Sequence, residues 1–409
     1  MPWKRMGVDD QRMQFVARAV SGKEGMAGLC REFGVSRPTG YRWRRRYERG
    51  GSFTGLQELS RRPHHSPRRT EAEKEQQVVE LRRQTGWGAK KLHVVLRDEQ
   101  GLAIPVRTIH RILERRGQIA GKVHTAAPGR FERAAPNELW QMDTKGQYPL
   151  PEGECHPLSI VDDHSRYAVG LYALPRLSTE GAWVCLVETF RRYGVPQAML
   201  MDRGTLWWTE HNGWGLTRLS VRLIEQGIRL SYGRICHPQT QGKVERFHRT
   251  LGIELRHRGL PENWPEWPAL LAAVRREYNE RRPHEALGMR RPAEVYRPSR
   301  RAYQEQPREW EYPAGSEVRR VNRNGLLREG GRQWFVCESL GGHRVRIEYV
   351  DGKMLVSYRH MYIREIDLEQ GRTRPLVVER KENGAATASC QPPVALRAPS
   401  GWQDAQNQS

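Results

Sequence analysis

Three large protein classes are missing from this sequence. No apolar run approaches the roughly 18 residues of a membrane-spanning helix, and mean hydropathy is -0.79. The opening MPWKRMGVDDQRMQ has no apolar stretch of a secretory leader. Six cysteines are scattered over 409 residues with no Cys-x-x-Cys pair, which argues against a disulfide framework or a cysteine-rich zinc site and fits a reducing interior. The expectation is an intracellular, cytoplasmic protein with no membrane partner. Phenylalanine is scarce, at 7, but 13 tryptophans and a 37% hydrophobic content are enough for real cores. Wholesale disorder is therefore excluded.

Positive charge is abundant. Lysine and arginine number 69 against 47 acids, a net +22. Residues 1–130 hold 28 of these cations and 13 of the acids, so most of the excess lies in the first third. Such a segment predicts a nucleic-acid partner.

The length suggests two to four domains, and composition divides the chain further. Residues 1–51 read as three helices. Ser36 caps the third, RPTGYRWRRRYERG, and Pro38 sits in its first turn. A helix, a short glycine-containing turn and an arginine-rich helix make a helix-turn-helix pattern. Arg37, Thr39 and Arg42 would face base edges, and Arg44, Arg45 and Arg46 would face phosphates. Residues 52–70 form a basic linker rich in proline and serine. Residues 71–120 repeat the helix-turn-helix logic, with Ile109, Ile112 and Leu113 inward and Arg107, Arg111, Arg115 and Arg116 outward. A second linker covers 121–136.

Residues 137–300 change character. ELWQMDTKGQY, CHPLSIVDD and RYAVGLYAL read as three strands, followed by alternating helices and strands in a mixed-sheet α/β domain. Residues 310–368 carry turn signals at Asn324-Gly325 and Asp351-Gly352, which predict a small antiparallel β-barrel. Residues 369–409 read as a disordered tail. The fold class is thus multidomain α+β.

Three acids stand out. Along LWQMDTK, Leu139, Gln141 and Asp143 share one face of a strand. An acid there is costly unless it is paired or metal-bound. Asp202 ends the buried strand PQAMLM, where open α/β sheets hold ligands. Glu245 begins a helix beside Lys243, Arg246 and Arg249, cations that would hold DNA near it. Oxygen-only ligation favours a hard cation such as Mg²⁺, and a pair of ions suits phosphodiester chemistry. Singly, each acid also fits a structural part: a salt-bridge partner, a turn cap, a first-turn helix acid. The adjacent Asp162 and Asp163 point to opposite strand faces and read as turn formers.

LWQMDTKGQY, SIVDDHSRYAVG, MLMDRG and SYGRICHPQTQGKVERFHRTLGIEL resemble the retroviral-integrase-like DDE catalytic core of bacterial insertion-sequence transposases. NERRPHEALGMRRPAEVY is similar to the helix that closes that core. The resemblance spans about residues 10–300, and HPQTQGKVERFHRTL is its most specific motif. It implies a ribonuclease-H-like fold and a catalytic, metal-binding triad of Asp143, Asp202 and Glu245, dependent on Mg²⁺ or Mn²⁺. It also implies binding to terminal inverted repeats and target DNA, homo-oligomers on DNA, and a bacterial, nucleoid-associated location. Two departures are plain: Arg203 stands where the family usually has Asn, and 42 residues separate Asp202 from Glu245, more than usual. The Trp-rich loop 206–215 accounts for the excess. Two rivals share this pattern: a non-catalytic DNA-binding regulator derived from a transposase, and a structure-specific nuclease.

Overall fold

The computed structural model describes residues 8–51, 56, 70–119, 132–209, 215–233 and 242–380. The linker at 52–70 (Leu56 and Thr70 aside), most of that at 121–136, residues 210–214 of the Trp-rich loop, residues 234–241 with the HPQTQ of the HPQTQGK motif, and 381–409 lie outside the described residues. The chain forms two compact units, Met1–Glu71 and Ala72–Ser409.

The first unit holds helices α1 (Val8–Ser21), α2 (Met26–Glu32) and α3 (Arg37–Gly50). The Ser36 side chain accepts from the Thr39 backbone N–H at 3.4 Å, and Pro38 occupies the first turn, as the sequence predicts. Gly51, at φ 60, terminates α3. Gly40 lets the helices close up: a Cβ there would lie 2.7 Å from Cys30 Sγ and 2.8 Å from a Phe15 ring carbon. Phe15, Val16, Ala19, Leu29 and Cys30 form the small core.

The second unit begins with α4 (Ala72–Thr85), α5 (Ala89–Gln100) and α6 (Val106–Arg115). They enclose Val78, Leu81, Leu92, Val95, Leu96, Ile109, Ile112 and Leu113. Apolar residues at helical spacing account for this bundle.

The α/β domain follows. Its strands are β1 (Trp140–Thr144), β2 (Tyr148–Leu150), β3 (Gly153–Asp162), β4 (Ala168–Leu174), β5 (Ala198–Met201), the short β6 (Trp208–Thr209) and β7 (Gly215–Leu216), and β8 (Arg229–Tyr232). The main sheet runs β2-β3-β1-β5-β8, with β4 also on β3. β3 is antiparallel to β1, β2 and β4, whereas β1, β5 and β8 are parallel. The expected first strand is broken at Lys145-Gly146-Gln147, where Gly146 takes φ 59, and β2 resumes pairing with β3. Helices α7 (Thr179–Tyr193) and α8 (Arg218–Glu225) cover one face, against Trp140, Met142, Leu158 and Ile160. Helices α9 (Gly242–Arg258) and α10 (Glu266–Arg276) cover the other, against Val161, Ala168 and Leu171. Strand alternation thus sends Trp140 and Met142 to the α7 side and Gln141 and Asp143 to the α9 side.

The α4–α6 bundle docks on this domain through a buried polar hub. Glu254 of α9 accepts from Trp87 Nε1 at 3.2 Å and from Arg282 Nη1 at 2.9 Å. Arg281 pairs with Glu99, and Arg291 with Asp98, around it.

The C-terminal region departs from expectation. Strands β9 (Glu317–Arg320), β12 (Arg344–Val350), β13 (Lys353–Tyr358), β14 (Met361–Asp367) and β15 (Arg372–Glu379) form an open sheet, β15-β14-β13-β12-β9, beside a β10 (Leu326–Glu329)–β11 (Arg332–Phe335) hairpin. The expected barrel is not closed among the described residues. The edge strand β15 lies along the core sheet instead, with Arg229 of β8 bonded to Glu379 at 2.9 Å. Val336, Cys337, Leu340, Val345 and Ile347 join the same apolar cluster as Trp207, Leu216 and Leu219 of the α/β domain. Residues 372–379, expected within a disordered tail, form β15 because Leu376, Val377 and Val378 give it an apolar run. Pro375 is tolerated because β15 is an edge strand. No helix among the described residues is long and apolar enough to cross a membrane.

Candidate active site

Gln141 pairs in register with Leu200, so the parallel strands β1 and β5 end side by side. Asp143 and Asp202 stand at those neighbouring ends. Glu245 lies in the exposed first turn of α9, the helix that packs on the same face as Asp143. The electrostatics link the three. Burial pushes the Asp143 carboxyl up to about 7, reinforced by the negative charge of Asp202 and then of Glu245, against one backbone N–H from Thr144 at 2.8 Å. His248 Nδ1 lies 3.6 Å from Asp143 Oδ2. That ring supplies no counter-charge, because burial, and then Lys145, lower its pKa to about 4 and keep it neutral.

Among the described residues no ion pair joins the other two acids either. Asp202 Oδ1 accepts from Gly204 N at 2.8 Å and from Trp207 Nε1 at 2.5 Å. Among the described residues no donor reaches Asp202 Oδ2 or the Glu245 carboxylate. Nor do three His, Cys, Asp or Glu side chains among the described residues converge closely enough to hold an ion as they stand. Three carboxylates with no cation between them repel one another. The donor set itself, all oxygen with free lone pairs, fits a hard divalent cation.

Asp162 and Asp163 present the opposite picture. Both are fully buried. Asp162 takes the backbone N–H of Asn137 and both the N–H and hydroxyl of Ser165, at 2.6–2.7 Å, and so shapes the turn into β4. Asp163 accepts from Arg133 N and from Gln141 Nε2, each at 2.8 Å, and pairs with Lys243. Gln141 in turn accepts the Val244 N–H at 3.2 Å. This network ties the start of α9 to β1 and sets where Glu245 begins. Lys243 is turned to Asp163, whereas Arg246 and Arg249 are exposed.

Arg203 lies 5.3 Å from the Trp208 ring, a cation–π contact beside Asp202. In the first unit, Arg37 and Arg42 are exposed on α3, and Arg45 bonds the Tyr41 carbonyl. Arg42 and Arg46 flank Trp43, Arg44 pairs with Glu48, and the Thr39 hydroxyl meets Ser36 Oγ at 2.9 Å within the cap. Arg107 and Arg111 are exposed on α6. Arg115 and Arg116 are exposed beside them, as expected, and also pair with Glu75, itself 1% exposed. Sequence reasoning did not find Trp207, His248, or Asp163's part in seating α9. Only the adjacency of Asp162 and Asp163 to a strand end hinted at the last.

Comparison with known proteins bears on this arrangement. Residues 133–238 and 226–292 each match an integrase core domain. Residues 11–64 match a helix-turn-helix domain and 39–113 a homeodomain-like domain. The "Insertion element IS407 uncharacterized 31.7 kDa protein" of Burkholderia multivorans is 28% identical over 207 residues, 48% of this chain and 65% of that protein. The chain is thus similar to an insertion-element protein and carries matches to an integrase core and to helix-turn-helix domains. The Gag-Pol polyprotein of feline leukemia virus is 28% identical over 204 residues, 48% of this chain but 12% of the polyprotein. The chain therefore spans less than two thirds of either relative. Among solved structures, the HTLV-2 integrase catalytic core domain in complex with magnesium shares 14% identity over 40% of this chain and 97% of its own, at a TM-score of 0.31. A simian T-cell lymphotropic virus intasome chain shares 15% over 75% of this chain and 100% of its own, at 0.36.

Proposed function

We propose that the chain is a DNA transposase that binds the terminal inverted repeats of a mobile element and carries out metal-dependent DNA cleavage and strand transfer, joining the ends to target DNA. One observation carries this reading. The Asp143 carboxyl is half-buried at a strand end among like charges, with its pKa raised to about 7 and no cationic side chain against it among the described residues. A fold keeps such a group when something outside the chain neutralises it. Asp143, Asp202 through its free Oδ2, and Glu245 would hold Mg²⁺ or Mn²⁺, as a pair of ions. Bound there, the ions supply Lewis-acid activation of water or of a 3′-hydroxyl and stabilise the leaving oxygen of the phosphodiester.

The chain's own residues do the rest. Asp163 and Gln141 fix the start of α9, and so the reach of Glu245. Arg246 and Arg249, exposed on the same helix, grip backbone phosphates beside the acids. Arg37, Thr39, Arg42, Arg44, Arg45 and Arg46 on α3, with Arg107 and Arg111 on α6, read and hold double-stranded DNA. Two ends and one target imply a homo-oligomer on DNA, at work in the bacterial cytoplasm on the nucleoid.

The test is cleavage and strand transfer by the purified full chain on duplex carrying its element's terminal repeat, with Mg²⁺ and with EDTA. The expected result is metal-dependent nicking and joining that Asp143→Asn abolishes. Terminal-repeat binding without cleavage would identify a transposase-derived regulator, and cleavage without joining a nuclease. Wild-type turnover in the Asp143→Asn protein would overturn the assigned site.

A further inference from the structure

The segment after Asp202 is longer than the resembled family needs, and it is not slack. Leu206, Trp207 and Trp208 are buried, Trp207 at 1% exposure. The Trp207 carbonyl accepts from Ser220 Oγ at 2.5 Å and from Tyr232 OH at 3.1 Å, and the Leu206 carbonyl accepts from Thr217 Oγ1 at 2.9 Å. These bonds fasten the segment to α8 and β8. The adjoining β6–β7 ribbon is fastened to the C-terminal sheet region, where Cys337 Sγ donates to the Leu216 carbonyl at 3.4 Å. Leu206, Trp207, Trp208 and Leu216 share one apolar cluster with Val336, Cys337 and Leu340.

From this anchored base one polar atom reaches the acid site: the Trp207 indole N–H, 2.5 Å from Asp202 Oδ1. Gly204 N–H shares the same oxygen at 2.8 Å, and a Cβ at position 204 would press on that oxygen at 2.8 Å. The two donors hold one carboxylate oxygen, and no donor among the described residues holds Oδ2. A hydrogen bond to a charged acceptor fixes both position and rotamer, and such outer partners orient metal ligands.

We propose that Trp207 is a positioning residue for Asp202. The Trp-rich segment, braced by the C-terminal sheet region, locks Asp202 Oδ1 so that Oδ2 is presented to the divalent cation. This rests on the reading of Asp143, Asp202 and Glu245 as a cation site. The long spacing then has a purpose, since the extra residues carry the donor that holds the second acid still.

The decisive change removes the N–H and keeps the shape. In the full chain, 3-benzothienylalanine replaces Trp207, and Mn²⁺ binding is followed by electron paramagnetic resonance. Gly204→Ala, which crowds the same oxygen, is the second variant. The expected result is Mn²⁺ affinity about tenfold weaker in both, a matching rise in the Mg²⁺ needed for half-maximal strand transfer, and unchanged terminal-repeat binding and melting temperature. Wild-type Mn²⁺ affinity with 3-benzothienylalanine at 207 overturns the proposal. So does a parallel fall in melting temperature and DNA binding, which would assign Trp207 to packing alone. Asp143→Asn, measured alongside, separates the two readings. If it also leaves Mn²⁺ affinity unchanged, the cation site itself is wrong. If it abolishes binding while the Trp207 change does not, only the positioning role falls.

Discussion

Two groups of acids in the same α/β domain are treated oppositely by the fold. Asp162 and Asp163 are fully buried, and their oxygens take backbone N–H groups, a hydroxyl, an amide and an ammonium. Asp143, less buried, meets one backbone N–H and two negative neighbours. Depth of burial therefore does not mark the candidate site; what surrounds the oxygens does. A satisfied carboxylate holds a chain together, while an unsatisfied one among like charges is a standing cost that function has to justify. Glu254, farther along α9 from Glu245, is a third case and falls with the satisfied group: Trp87 and Arg282 both donate to it.

The contrast can be broken at its sharpest point with Asp143→Asn. Strand transfer should fall by ~10³-fold or more, while the metal-free protein becomes more stable. The sign follows from the folded carboxyl, raised from 3.8 to about 7. The folded state holds this proton more tightly than the unfolded chain does. Stability without metal should then fall as pH rises from about 4 to about 7, by about 4 kcal/mol at most. Asp143→Asn should flatten that slope, as read by denaturant unfolding across pH in EDTA. An unaltered slope would remove Asp143 from its exceptional position.

Asp163→Ala should do the reverse. It strips partners from Lys243, Gln141 and Arg133 and should destabilise the fold by about 3–5 kcal/mol, seen as a lower urea midpoint. A neutral result would erase the distinction between the two groups. Glu254→Gln keeps an acceptor for Trp87 but removes the charge facing Arg282. It should cost about 1–3 kcal/mol and open the α4–α6 bundle to limited proteolysis. The smallest effect is expected at Arg107→Ala, which should leave stability alone and lower the salt dependence of DNA binding by about one unit of slope. A change in melting temperature there would give Arg107 a structural part like that of Arg115.

Much of this was legible in the residues. Alternation along LWQMDTK separates Asp143 from Trp140 and Met142, and the structure sends them to opposite faces of the sheet. Ser36 and Pro38 announce α3, and its cap forms as read. What escaped depends on distance along the chain. Lys243 shares a spacing with Arg246 and Arg249 that suggests one common face, but its partner Asp163 lies 80 residues earlier and no periodicity reveals it. Glu75 takes the exposed Arg115 and Arg116 as partners in the same way, across 40 residues in the case of Arg115. The Trp207 bond escaped for another reason: a loop tryptophan leaves no repeat to read. The barrel expectation failed because turn signals specify hairpins but not what the last strand lies against. Here β15 lies along the core sheet, with Arg229 and Glu379 at the contact.

The hub at Glu254 has a consequence for the DNA. Helix α9 carries Glu245 near one end and, about two and a half turns on, the glutamate that seats the α4–α6 bundle. A duplex gripped by α6 would arrive at the acids with its offset already measured out. The span from recognised sequence to scissile bond would then be a dimension of the protein, not a property of the tether at 121–136.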